Sequence, residues 1–106
     1  MARALINLPS KVKRGELVEV KTLVQHAMET GFRTGNDGRL VPRDIIHRFV
    51  CTYGGKEVFS AELFPAIAAN PFLSFSFRAE ETGVVTFAWQ DDRGETQVQT
   101  AMLNVD

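Results

Sequence analysis

Cysteine is nearly absent from this chain: Cys51 is the only one, so no internal disulfide can form. No apolar run approaches the length of a membrane-spanning helix. The opening MARALINLP has one arginine and then alternates like a strand, without the apolar core of a secretory signal. The chain is therefore expected to be cytoplasmic, or exported by a route it does not itself encode. Positive charge is not in excess either. Twelve Lys and Arg face thirteen Asp and Glu, for a net charge of −1, and no basic stripe collects phosphates, which argues against nucleic acid as a partner. No segment sustains a 3.6-residue apolar period, so no amphipathic helix is expected. Internal repeats and low-complexity segments are missing as well.

What remains is an ordinary globular composition, 44% apolar and 24% charged over 106 residues. That length suits one domain, burying roughly two-thirds of the surface of its unfolded chain. Turn residues fall at short intervals, and the segments between them are rich in β-branched and aromatic residues. RALINL at 3–8 reads as a first strand, stopped by Pro9 and a turn ending at Gly15. ELVEVKTLVQH at 16–26 alternates Val18, Val20, Thr22 and Val24 against Glu19, Lys21 and Gln25. IIHRFVCTY at 45–53 places His47, Phe49, Cys51 and Tyr53 on one face, with Ile46, Arg48 and Val50 on the other. Gly54-Gly55 sits where a two-residue hairpin needs positive φ, and KEVFSAELF returns.

PAIAANP at 65–71 is a connector with room for one helical turn. FLSFSFRA at 72–79 points Leu73, Phe75 and Phe77 inward and its serines outward. VVTFAWQ shares Val85, Phe87 and Trp89 on one face, DDRGE turns the chain with Gly94 at a left-handed position, and TQVQTAMLNV is the last strand. Seven short strands of this kind predict an all-β, immunoglobulin-like antiparallel β-sandwich without its disulfide.

Two features depart from a plain sandwich. The connection from Ala27 to about Asp44 exceeds the roughly 12 to 15 residues beyond which structureless loops become uncommon and often functional. Apolar residues also occupy both parities of several strands. Leu17 and Leu23 oppose the Val18 set, Val84 and Ala88 oppose Phe87, and Val98 and Met102 oppose Ala101, Leu103 and Val105. In a two-layer sandwich the outer faces should be polar. Either loops or a bulge cover this surplus, or a second protein does.

No catalytic constellation emerges. His47 and Cys51 lie four residues apart on one strand, roughly 13 Å at about 3.3 Å per residue, too far to share a metal with bonds of roughly 2.0 to 2.3 Å. The two histidines could meet only across neighbouring strands, with Glu29 or Asp44 as further ligands. Cys51 sits mid-strand beside Phe49 and Tyr53, where a cysteine acts as a small hydrophobe rather than a nucleophile. Glu80-Glu81 and Asp91-Asp92 occupy turns, and adjacent side chains there diverge, so solvated turn charge is expected. A G-x-S-x-G elbow and a phosphate-binding glycine loop are both missing, and no cofactor is implied.

The stretch HAMETGFR at 26–33 has no apolar period. Gly31 permits a turn, and Glu29 and Arg33 are spaced to pair and rigidify it. With His26 and Met28 these residues read as a partner-facing loop, or as a loop held by its own hydrogen bonds.

Several stretches in order resemble one family: PSKVKRGELVEVK at 9–21, METG at 28–31, NDGRLVP at 36–42, IIHRF at 45–49, NPFLSFSF at 70–77 and FAWQDDRGE at 87–95. Together they resemble the SoxZ family, the smaller subunit of the SoxYZ carrier complex of bacterial sulfur oxidation, over nearly the whole chain. One departure is Ala27, at a variable position where family members often carry proline or another residue after the histidine; it bears on loop rigidity. The resemblance implies an immunoglobulin-like sandwich that pairs with SoxY as a heterodimer and makes transient contacts with other Sox enzymes. SoxY bears the C-terminal, glycine-flanked cysteine arm to which sulfur intermediates attach. This chain, ending TAMLNVD without such an arm, is expected to be the non-catalytic, non-carrier subunit. The resemblance also implies a periplasmic location reached by co-export with SoxY, and leaves room for a homo-oligomer when SoxY is absent. The expected partner contacts are His26, Met28, Glu29, Arg33, Arg39, Arg43, Val98 and Met102, with Arg33, Arg39 and Arg43 as donors to anionic sulfur adducts. The competing class is an immunoglobulin-like metal or redox module, since some such domains hold iron through several His and one Cys. A carrier subunit of another oxidation pathway is a third reading.

Overall fold

A computed structural model describes residues 3–65, 67 and 69–106. Its strands are β1 (Ala4–Asn7), β2 (Lys11–Val12), β3 (Leu17–Val24), β4 (Ile46–Tyr53), β5 (Lys56–Glu62), β6 (Phe72–Arg78), β7 (Gly83–Asp91) and β8 (Thr96–Val105). A three-stranded sheet of order β1-β3-β6 packs on a five-stranded sheet of order β2-β8-β7-β4-β5. The seven expected strands are all present. The eighth, β2, lies inside the expected Pro9–Gly15 turn and pairs parallel with the end of β8, so the sandwich is not wholly antiparallel. Two of the seven residues of the PAIAANP connector, Ala66 and Ala68, lie outside the described residues, and the helical turn expected there with them.

Period-2 alternation decides which side chains fill the space between the sheets. Val18, Val20, Thr22 and Val24 of β3 are all buried, and so are Phe75 and Phe77 of β6. From the other sheet come Phe49, Cys51 and Tyr53 of β4, Val85, Phe87 and Trp89 of β7 and Leu103 of β8. Phe49 is the hub: its ring centroid lies 5.3 Å from that of Trp89, 5.8 Å from Phe75 and 6.1 Å from Phe59. Phe59 stacks on Phe75 at 4.4 Å and so joins the two sheets. Such tilted and stacked pairs add about 0.5–1.5 kcal/mol each beyond the area they bury.

Gly54 and Gly55 both have positive φ, 59° and 80°, which is the two-residue hairpin geometry that turns β4 into β5. At the same end, the Tyr53 hydroxyl accepts the amides of Glu80 at 3.1 Å and Glu81 at 2.9 Å and donates to the Glu81 carbonyl. One phenol thereby fixes the β6–β7 connection.

The expected face assignment fails at one place. A register shift between Ile46 and Arg48 in the β4–β7 ladder inserts His47 as an extra residue. Ile46 therefore turns inward and is fully buried, while His47 leaves the face of Phe49 and Cys51.

Candidate functional site: an uncharged outer face and a stitched arm

Outward positions on the five-stranded sheet fall into cross-strand rows. Ser60, Val50, Ala88 and Val98 form one row, and Thr52, Thr86 and Thr100 lie in the next, which ends at Glu57 on the β5 edge. Val84 pairs with Met102 beyond them. None of the eight residues Val50, Thr52, Val84, Thr86, Ala88, Val98, Thr100 and Met102 is charged. Val98 is 57% exposed and Met102 52%. Charge returns at the margin, where Arg48 lies opposite Glu62 and comes within 4.0 Å of Glu57. A neutral centre with a polar rim is the anatomy of a protein contact. Of the two readings left open for the surplus apolar residues, cover by this chain's own loops does not hold for Val98 and Met102.

The long connection is not structureless. From Glu29 to Asp44 it forms an irregular two-stranded arm, bridged at Glu29–Asp44 and Thr34–Leu40. The Val41 amide donates to Arg33 at 2.8 Å, and the Gly35 amide donates to Arg39 at 2.8 Å. At the tip the Asp37 carboxylate accepts the Arg39 amide at 3.0 Å, and Gly38 takes φ 79°. The molecule is 58 Å long. The base of the arm lies beside the turn from β7 into β8.

Paired charges stitch the arm base to that turn. Arg43 grips Asp92 in a fork, Nε to Oδ2 at 2.8 Å and a terminal nitrogen to Oδ1 at 3.0 Å. The Ile45 amide donates to the same carboxylate at 3.1 Å. Asp44 answers in the other direction, holding Arg93 Nε at 2.8 Å. The Arg43 hydrogen bonds, aided by the Ile45 amide, hold the Asp92 carboxyl below its ordinary pKa. Asp91 is buried, and its Oδ1 accepts the amides of Arg93 at 3.0 Å and Glu95 at 2.9 Å. Neither aspartate is the solvated turn charge expected from sequence. Their partners stand almost fifty residues away or sit within the turn backbone.

The expected contact residues divide. Glu29 and Arg33 pair at 2.7 Å, as their spacing suggests, and the Arg33 hydrogen bond lowers the Glu29 pKa. Arg43 is engaged by Asp92, so among the described residues only Arg39 of the three loop arginines makes no ion pair. Met28, expected on the loop surface, is only 4% exposed. Its φ of 53° turns the side chain into the core, where Sδ accepts the Ile46 amide at 3.3 Å. The exposed apolar residues of the arm are instead Phe32, 81% exposed, and Leu40. Sequence reading missed them because neither stands in a periodic segment.

His26 and His47 do not meet. His47 shares a hollow with Arg43, Arg48, Glu62, Leu63, Phe64 and Asp92. His26 lies beside Asp44 and Asp91, and the three offer ligand-type atoms within 4.8 Å of one another. Hydrogen bonding disfavours a metal there. The Met28 amide donates to His26 Nδ1 at 3.0 Å, so that nitrogen carries no proton. Nε2 faces Asp44 Oδ1 at 3.8 Å, beyond hydrogen-bond reach. Nδ1 is thus occupied, Arg93 pairs with Asp44 Oδ2, and backbone amides take Oδ1 of Asp91, while Asp44 Oδ1 is buried without a hydrogen-bond partner among the described residues. The arm base is held to the turn by the Arg93–Asp44 and Arg43–Asp92 pairs beside this cluster.

Cys51 is fully buried, and burial pushes its thiol up to about 12. Buried among Phe49, Tyr53 and Phe87, it has the surroundings of a small hydrophobe rather than of a reactive thiolate.

The architecture defines an immunoglobulin-like β-sandwich carrying one neutral outer face. Solved structures with this fold include a superoxide reductase (neelaredoxin) from Ignicoccus hospitalis, 14% identical, covering 99% of this chain and 82% of that one, with a TM-score of 0.71. The sulfur carrier protein SoxY from Chlorobium limicola f. thiosulfatophilum is 15% identical, with 97% and 78% coverage and a TM-score of 0.67. A superoxide reductase-like protein from Thermotoga maritima is also 15% identical, with 97% and 85% coverage and a TM-score of 0.67. At these identities the likeness is one of fold. No curated protein matches the sequence. The family model for sulphur oxidation protein SoxZ matches residues 6–102, and the chain belongs to the SoxZ family.

Proposed function

We propose that this chain is the non-carrier subunit of a SoxYZ complex, and that SoxY packs on the neutral outer face of the five-stranded sheet. Membership of the SoxZ family makes it a subunit of the sulfur-oxidation carrier complex. The observation that carries the finer reading is the uninterrupted absence of charge across Val50, Thr52, Val84, Thr86, Ala88, Val98, Thr100 and Met102. Burying such a face needs no desolvation of ions, so its apolar burial is not offset by the cost of stripping water from charge. Cys51 supports the non-carrier role: a thiol buried and held up to about 12 offers no thiolate for sulfur to attach. Sulfur then rides on SoxY's cysteine arm, and this subunit orders the complex that presents the arm to other Sox enzymes. Arg39, near the tip of the Glu29–Asp44 arm and without an ion pair among the described residues, is the donor offered to anionic adducts. The complex works in the periplasm, which this chain reaches together with SoxY.

Co-expression with SoxY tests this reading. Wild type is expected to co-purify with SoxY, and the double variant Val98→Asp, Met102→Asp is expected to lose it while remaining folded. Retention of SoxY by that variant would place the partner elsewhere.

A further inference from the structure

β8 is the longest strand, yet its outer edge is almost bare. Only its last residues meet β2, where the amides of Asn104 and Asp106 donate to Ser10 at 3.0 Å and Val12 at 2.9 Å. Backbone groups of alternate strand residues point the same way. The N–H and C=O groups of Thr96, Val98, Thr100 and Met102 therefore face that same edge, and among the described residues no strand pairs them there. The other edges are defended. β1 has only four residues, β5 carries Lys56, Glu57, Glu62 and a bulge, and β6 lies against β5. The run Thr96–Leu103 has no charge, proline or glycine. A bare, neutral edge of this length is a template for another strand.

We propose that this edge pairs with the same edge of a second copy, β8 against β8, antiparallel about a two-fold axis at Thr100. Self-complementarity selects the occupant. The outward backbone groups belong to even-numbered residues, so even must face even. Centring on Thr100 achieves this and sets Val98 opposite Met102 of the second copy, twice over. The pairing then runs over 97–103 and stops where β2 begins at Asn104. With no charge in the run, two copies meet without repulsion. The neutral outer faces become continuous across a ten-stranded sheet, and each stays open to SoxY. This dimer uses backbone edges and SoxY binding uses a sheet face, so the two readings stand or fall separately.

Sedimentation of the purified full chain without SoxY tests the dimer, and SoxY capture is measured in parallel. Wild type is expected to dimerise as concentration rises. Thr100→Pro removes an amide that faces the edge rather than β7, and is expected to weaken self-association at least tenfold; SoxY capture by the wild-type chain reads the sheet face separately. Should that variant not fold, cysteine cross-linking decides. Hydrogen-bonded antiparallel partners stand about 5.5 Å apart at Cα, within disulfide reach. Thr100→Cys is therefore expected to form an intermolecular disulfide on mild oxidation. Thr86→Cys, one strand further in, is expected to form none. A wild-type chain that stays monomeric, or equal cross-linking from the two positions, would overturn the proposal. So would a Thr100→Cys chain that cross-links only to SoxY, since the edge would then receive a strand of the partner.

Discussion

The two outer faces of the sandwich are built by the same alternation and differ in what it places outside. On the three-stranded sheet the outward rows hold Glu19 beside Ser76, Lys21 between Asn7 and Ser74, and Leu17 beside Arg78. Apolar side chains gather there in one terminal row, Leu5, Leu23 and Phe72. On the five-stranded sheet the centre is neutral and charge is confined to the rim. A face bearing Glu19, Lys21 and Arg78 must strip water from ions before a partner can cover it, at a cost of several kcal/mol for each fully buried ion. Apolar count alone would not separate the two faces. The position of charge does.

The largest expected effect comes from placing charge at the neutral centre. Val98→Asp should weaken SoxY binding by about 100-fold, the scale of one desolvated carboxylate, whereas Leu17→Asp on the other sheet should change it less than about threefold. Calorimetric titration of each variant with SoxY reads the difference, and equal losses would break the comparison.

Stability controls sharpen it, because a face must be told from the fold beneath. Asp91→Ala leaves two turn amides without their acceptor in a buried setting and should cost about 2 kcal/mol. Tyr53→Phe strips the acceptor from the Glu80 and Glu81 amides and should cost about 1–3 kcal/mol. Both are read by denaturant unfolding, and both variants should still capture SoxY when folded, since neither side chain lies on the outer face.

Smaller effects follow from the titrating groups. Asp92 has its folded pKa depressed by Arg43, so its contribution is present above the unfolded carboxylate value and is lost as pH falls through the folded one. Asp92→Asn should flatten the acid limb of the stability profile. Cys51 runs the opposite way. Its thiol is raised to about 12, so the folded chain keeps a proton that the unfolded chain releases, and stability falls as pH rises from the ordinary thiol range toward that value. Cys51→Ala should lessen that fall.

Much of this was legible in the sequence because period-2 alternation assigns faces without knowledge of neighbours. The parity of Val98 and Met102 against Leu103 placed them outside, and Phe49, Cys51 and Trp89 inside. What stayed hidden depends on partners distant along the chain. A single inserted residue, His47, reverses Ile46, and no local pattern announces a bulge. Arg43 and Asp92 find each other across 49 positions, so Asp91-Asp92 read as free turn charge. Met28 enters the core only because its backbone adopts a left-handed conformation, which methionine rarely does. The parallel β2 is two residues long and follows Pro9 and Ser10, too short for any period to reveal.

Thiol labelling locates SoxY most directly, because native Cys51 is buried and contributes no background. Single cysteines placed at Thr86, in the neutral centre, and at Ser76, on the opposite outer face, are labelled with and without saturating SoxY. SoxY is expected to slow the reaction at Thr86→Cys at least tenfold and to leave Ser76→Cys unchanged. Protection at Ser76→Cys with Thr86→Cys still reactive would place SoxY on the three-stranded sheet instead.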